Sequence, residues 1–100
     1  MERSDLQDLL DTYPDKVADA ERDWGVAEIM ERQTWAKFYS LYRTQLADKK
    51  PTEKVIDAMI WQTPEYVQAA MDEKIKKSEH TRHYERLMAT KKQSNLRTAY

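Results

Sequence analysis

The sequence predicts an all-α protein: two long helices forming a helical hairpin, with a short connecting helix and a short N-terminal helix. Two observations carry that expectation. Glycine occurs once and proline three times in 100 residues, too little punctuation for a turn-rich β protein. Along the central stretch the apolar residues recur near 100° per residue instead of alternating, among abundant Ala, Glu, Lys, Arg, Gln and Met. At this length the chain is read as one helical domain, residues 1–100, burying about two thirds of its unfolded surface.

The elements follow in order. Ser4 and Gln7 have capping-box spacing, and Leu6, Leu9 and Leu10 then share a face. This predicts a short acidic helix within residues 1–13, from about Asp5 to Thr12 and stopped at Tyr13-Pro14. Pro14 suits the first turn of the next helix, where its missing N–H has no partner to lose. From Asp15 to Ala47 there is no proline and only Gly25. Val17, Ala20, Trp24, Ala27, Trp35, Phe38, Leu41, Tyr42 and Leu46 form one broad stripe there, so a long helix is expected over 15–47. Val26, Ile29 and Met30 stand off the stripe, which a lone hairpin would not need; they hint at a second chain.

Asp48-Lys49-Lys50-Pro51 breaks the pattern, and Thr52 can cap a short helix over 53–61. Thr63-Pro64-Glu65 is another start signal, placing a proline and an acid in the first turn. The last helix is expected over 64–97, packed through Val67, Ala70, Met71 and Ile75. Beyond Lys76 its apolar positions thin to Tyr84, Leu87, Met88 and Leu96, so that half should be charged and weakly anchored.

The net charge of -1 conceals a gradient. Residues 1–31 carry ten acids against three bases, residues 32–73 balance, and residues 74–100 carry eight bases against two acids. Such polarity suits a head-to-tail partner, a polyanion at the tail, or pairing of the two ends within one antiparallel bundle. No apolar run approaches the roughly 20 residues that span a bilayer, and no secretory leader precedes the charged start. The expectation is a cytoplasmic protein without a membrane partner; the absence of cysteine suits a reducing compartment.

Little here points to catalysis, and the chain is expected not to be an enzyme, with no cofactor and no metal. His80 and His83 are three apart, but two ligands are too few for a metal and read as solvated histidines on a charged helix. Glu28 and Glu31 lie on neighbouring turns, as in helical magnesium-dependent pyrophosphatases. That chemistry needs four or more carboxylates, and Glu53 with Asp57 supplies no matching motif. Glu28 can instead pair with Arg32 one turn on. No nucleophile–base–acid set or phosphate loop can be assembled.

Trp35-Ala36-Lys37-Phe38-Tyr39-Ser40-Leu41-Tyr42-Arg43 holds four aromatics and two bases in nine residues, the ingredients of a single-strand binding surface. Phe38 and Tyr42 read as core, Trp35 and Tyr39 remain candidates for base stacking, and Trp61 reads as a packing plug. The bases of the tail are distributed around the helix, which suits contact with phosphates rather than reading of bases, and equally suits a solvated helix kept soluble by charge.

Lys50-Pro51-Thr52-Glu53, Ile56, Ala58, Pro64, Tyr66, Gln68-Ala69-Ala70 and the charged helix through Leu87 together resemble a family of small helical phage proteins. These are similar to the single-stranded-DNA-binding recombination mediators of T-even-like phages, the UvsY type; the resemblance covers about residues 35–100. It implies a non-enzymatic, homo-oligomeric accessory protein of phage recombination or replication, acting in the host cytoplasm. Such a protein holds single-stranded DNA and helps load a recombinase against a single-strand-binding protein. By position, Lys49, Lys50 and Lys54 at the helical corner and Lys74, Lys76 and Lys77 beyond it would face DNA; Arg82 and Arg86 are added as nucleic-acid candidates from the charge of the basic tail. Unlike the larger mediators, this chain is short and acidic at its front. The alternative is a helical adaptor or inhibitor that docks on a basic protein through Asp5, Asp8, Asp11, Asp15 and Asp19, anchored by Leu6, Leu9 and Leu10.

Overall fold

The computed structural model describes the backbone of residues 3–98 and the side chains of residues 7, 8 and 10–96. Its regular structure is helical: α1 (Arg3–Gln45), a 3-10 turn (Ala47–Lys49), α2 (Glu53–Trp61) and α3 (Pro64–Thr98). No described residue lies in a strand. The chain divides into two compact units, a corner unit of Gly25–Lys74 and a terminal unit of Met1–Trp24 with Ile75–Tyr100.

The expected break at Tyr13-Pro14 is absent, because α1 continues through Pro14 from Arg3. Proline cannot donate to the carbonyl four residues back, so one helical bond is missing there. Packing offsets that loss. Tyr13, 5% exposed, lies against His83 with ring centroids 6.0 Å apart. Lys16 and Arg86 stand over the same ring. The predicted short N-terminal helix is therefore the first part of α1, and Ser4 lies within it rather than capping a separate element. The side chains of Leu6, Leu9 and Asp5 lie outside the described residues.

In the corner unit three helical segments close on one another. Phe38 of α1, Ile56 and Ile60 of α2, and Tyr66 and Ala70 of α3 form the core, with Trp35, Tyr39 and Tyr42 packed against it. Ile56 and Ile60 are fully buried, each contributing about 1.5–3 kcal/mol. α2 forms because Thr52 caps it, its side chain accepting from the Val55 N–H at 3.4 Å, and because Ile56 and Ile60 lie one turn apart on a single inward face. The expected span of α2 and the start of α3 at Pro64 agree with the structure.

Thr63 does more than introduce α3. Its hydroxyl donates to the Met59 carbonyl at 2.8 Å and lies 2.6 Å from the Tyr42 hydroxyl, joining the end of α2 to α1. The first turns of α3 pack through Tyr66 and Ala70, whereas Met71 and Ile75, expected inside, are about half exposed. They fall on the far side of the helix from Tyr66, at a helical angle the apolar count alone did not separate. Leu41 is likewise exposed, at 42%, despite its place in the predicted stripe.

In the terminal unit α1 and α3 run antiparallel: Tyr13 meets His83, and Trp24 meets His80 nearer the start of α3. Tyr13, Ala20, Leu87 and Thr90 are buried there. Tyr84, Met88 and Leu96 are not, so the thin anchoring expected of this half of α3 is what the structure has.

Candidate nucleic-acid interface

The corner between α1 and α3 is held by polar contacts laid over the apolar core. The Tyr39 hydroxyl donates to Glu53 at 2.8 Å, and Arg43 donates to the same carboxylate at 2.6 Å and to the Tyr39 hydroxyl at 2.7 Å. These contacts bind the last turns of α1 to the first turn of α2. They hold the Glu53 carboxyl below its usual range, mainly through the Tyr39 hydroxyl and then through Arg43. The Tyr39 phenol is pushed up, chiefly by its bond to Glu53. Lys37 reaches Glu65 of α3 at 3.1 Å.

Deeper in the unit, Tyr66 is 3% exposed and donates to the Glu31 carboxylate. Burial, followed by this bond, pushes its phenol well above the ordinary range. Trp35 and Trp61 both meet the Tyr66 ring edge-on, with centroids 5.2 Å apart in each case. Glu31 thus interrupts the apolar stripe of α1 to satisfy a buried phenol. Its neighbour Glu28 pairs with Arg32 at 2.6 Å, the surface ion pair that their spacing suggested.

Lys49, Lys50 and Lys54 are exposed at this corner. None of the three forms an ion pair or side-chain hydrogen bond among the described residues. Glu53, next to Lys54, is already committed to Tyr39 and Arg43, whereas Asp48 beside Lys49 and Asp57 one turn beyond Lys54 are exposed and pair with none of the three lysines. Lys50 has φ 46 and ψ 62, in the left-handed region, which costs a residue with a Cβ about 1–2 kcal/mol. Lys74 is exposed on α3 in the same unit.

The other predicted DNA-facing bases belong to the terminal unit and stand in different surroundings. Lys76 lies 3.9 Å from Glu79, Lys77 sits over the Trp24 ring, Arg86 sits over Tyr13, and Arg82 is exposed. Residues 1–24 carry eight acids against three bases, and residues 75–100 carry seven bases against two acids. These opposite charges cancel within one compact unit, so the field that the tail would present alone is much reduced.

The two stacking candidates are both half-buried. Trp35 packs on the corner core and against Tyr66. Tyr39 has the Arg43 guanidinium over its ring, 5.6 Å from the centroid, in addition to the hydroxyl contacts. Trp61, expected as a plug, is 53% exposed. The signal that separates it was in the sequence: Ile56 and Ile60 define the inward face of α2, and Trp61 lies about 100° around the helix from Ile60.

His80 and His83 are half-buried rather than solvated. His80 lies between Trp24 at 5.4 Å and Tyr84 at 6.3 Å, and His83 rests on Tyr13. No group of three or more His, Asp or Glu side chains fit to hold a metal occurs among the described residues. Of the acids considered for partner docking, Asp8, Asp11, Asp15 and Asp19 are exposed. Asp11 accepts from Gln7, and Asp19 pairs with Arg22 on its own helix. Asp5 lies outside the described side chains.

No described helix is long and apolar enough to cross a membrane. Compared with protein-family models, curated proteins and solved structures, the chain matches none of them.

Proposed function

We propose that the chain is a non-enzymatic, self-associating accessory protein of phage recombination or replication that binds single-stranded DNA without base specificity. Its reading as a recombinase-loading mediator follows from the resemblance of residues 35–100 described above. The observation that best supports DNA contact is Lys50: a charged residue in a left-handed turn where glycine would cost less, flanked by Lys49 and Lys54. All three ammonium groups are exposed and uncommitted. Strain of this kind persists where the side chain is needed, and compact ammonium groups at a corner suit phosphate oxygens.

The test compares the protein with its K49Q/K50Q/K54Q variant for binding to a labelled oligo-dT strand. Selective loss of binding in a variant with unchanged helix content supports the reading. Equal binding by the two proteins overturns the corner assignment. Capture of a basic protein partner by a chain that ignores DNA, abolished by deleting residues 1–13, favours the acidic adaptor instead.

A further inference from the structure

We propose that Trp61 is the base-stacking platform of this interface, and that Lys54 on the same face of α2 holds an adjoining phosphate. The inference rests on the single-stranded-DNA reading and assigns the ring that reading requires. Lys54 and Trp61 are seven residues apart, two turns of α2, which places them on one face about 10 Å apart along the axis. Both are exposed, on the side of α2 away from the fully buried Ile56 and Ile60.

The geometry of the Trp61 ring fits the role. Its contact with Tyr66 is perpendicular, at 89° between ring planes, so Tyr66 covers at most one of its faces. Tyr66 is itself pinned by burial and by Glu31, which gives the indole a fixed support. The other aromatic candidates are engaged on their faces or sunk in the core. Tyr39 carries the Arg43 guanidinium, Trp35 packs on the core, and Tyr84 is stacked with His80 at 25° between planes. A single exposed apolar residue needs no explanation by itself. Here the indole shares its face with an uncommitted lysine and, one turn from each, the exposed Asp57 carboxylate, while Lys49 and Lys50 stand just before the same helix. That combination of cations and a supported ring suits a strand with unstacked bases, since ammonium groups alone would take a duplex or any polyanion equally well.

The test measures fluorescence anisotropy with a labelled oligo-dT strand and an abasic strand of the same length. The full-length protein, Trp61→Leu and Trp61→Phe are compared, each checked for helix content by circular dichroism. The native protein is expected to bind oligo-dT at least about fivefold more tightly than the abasic strand. Trp61→Leu erases that preference while leaving abasic binding in place, and Trp61→Phe keeps part of it. Equal affinity of the native protein for the two strands overturns the stacking role and leaves phosphate binding standing. So does an undiminished preference in Trp61→Leu. If the native protein binds neither strand, the DNA reading itself falls, and the inference with it.

Discussion

The Tyr66 hydroxyl donates to the Glu31 carboxylate, tying the first turns of α3 to the middle of α1 inside the corner unit. A buried phenol needs an acceptor, and Glu31 supplies a charged one at the edge of the apolar stripe. Trp35 and Trp61 flank the ring, so this bond also sets the platform on which the exposed indole rests.

Tyr66→Phe should therefore cost about 1–3 kcal/mol in urea unfolding, since it strands the Glu31 carboxylate. Glu31→Gln should cost less, because its amide oxygen can still accept. Equal, negligible losses for both would show that the bond contributes nothing. The alkaline limb carries a sign as well. Tyr66 is raised above the value near 10 of an unfolded phenol. Its contribution is complete below about pH 10 and is lost as pH rises toward the folded-state value. Phenolate absorbance should show Tyr66 ionising last, after Tyr39, which is also raised, together with loss of helix, and that last step should vanish in Tyr66→Phe.

Glu53 titrates in the opposite direction. Its carboxyl is depressed, chiefly by the Tyr39 hydroxyl, so its contribution is present above the ordinary carboxyl range and fades as pH falls through the folded-state value. Carboxyl chemical shifts followed by NMR should place the Glu53 midpoint below that of an unperturbed glutamate, and Tyr39→Phe should move it up. An unmoved midpoint in that variant would assign the shift to Arg43 alone.

Much of the fold can be read from residue types. Thr52, Pro64 and the isoleucine pair one turn apart define α2 and the start of α3, because local capping and a short amphipathic face decide those elements. Pro14 misled, since a local rule cannot weigh the packing of Tyr13 against His83. The site was less legible. Lysines at the corner are visible as charge, but that Glu53 is taken by Tyr39 and Arg43 while Asp48 and Asp57 pair with none of them is fixed only by the folded corner. Trp35 and Trp61 differ in exposure for the same reason: three segments converge on Tyr66 and cover one indole more than the other.

Two helix-interior substitutions should stabilise the chain. A Cβ placed at Gly25 would meet nothing within 4 Å, and Gly25 does not have positive φ. Gly25→Ala should gain about 0.8–1 kcal/mol from helix propensity. Pro14→Ala restores a backbone donor in α1 and should raise the melting temperature further. A fall in stability for Gly25→Ala would reveal a close approach at that position in an assembled form.

Lys50→Gly separates stability from function. Glycine relieves the left-handed strain at this turn, so the variant should be about 1 kcal/mol more stable, yet should bind oligo-dT more weakly. A variant that is more stable and binds as well as the native chain would remove the charge at Lys50 from the interface.

The most direct measurement is the salt dependence of oligo-dT binding by fluorescence anisotropy, with the oligomer mass recorded under the same conditions. Neutralisation of phosphates by Lys49, Lys50 and Lys54 predicts a logarithmic slope of about -2 or steeper, from about -0.7 per phosphate. The binding species should be an oligomer, and the slope should become shallower in K49Q/K50Q/K54Q. No binding at low salt, or an affinity that does not change with salt, would contradict the account.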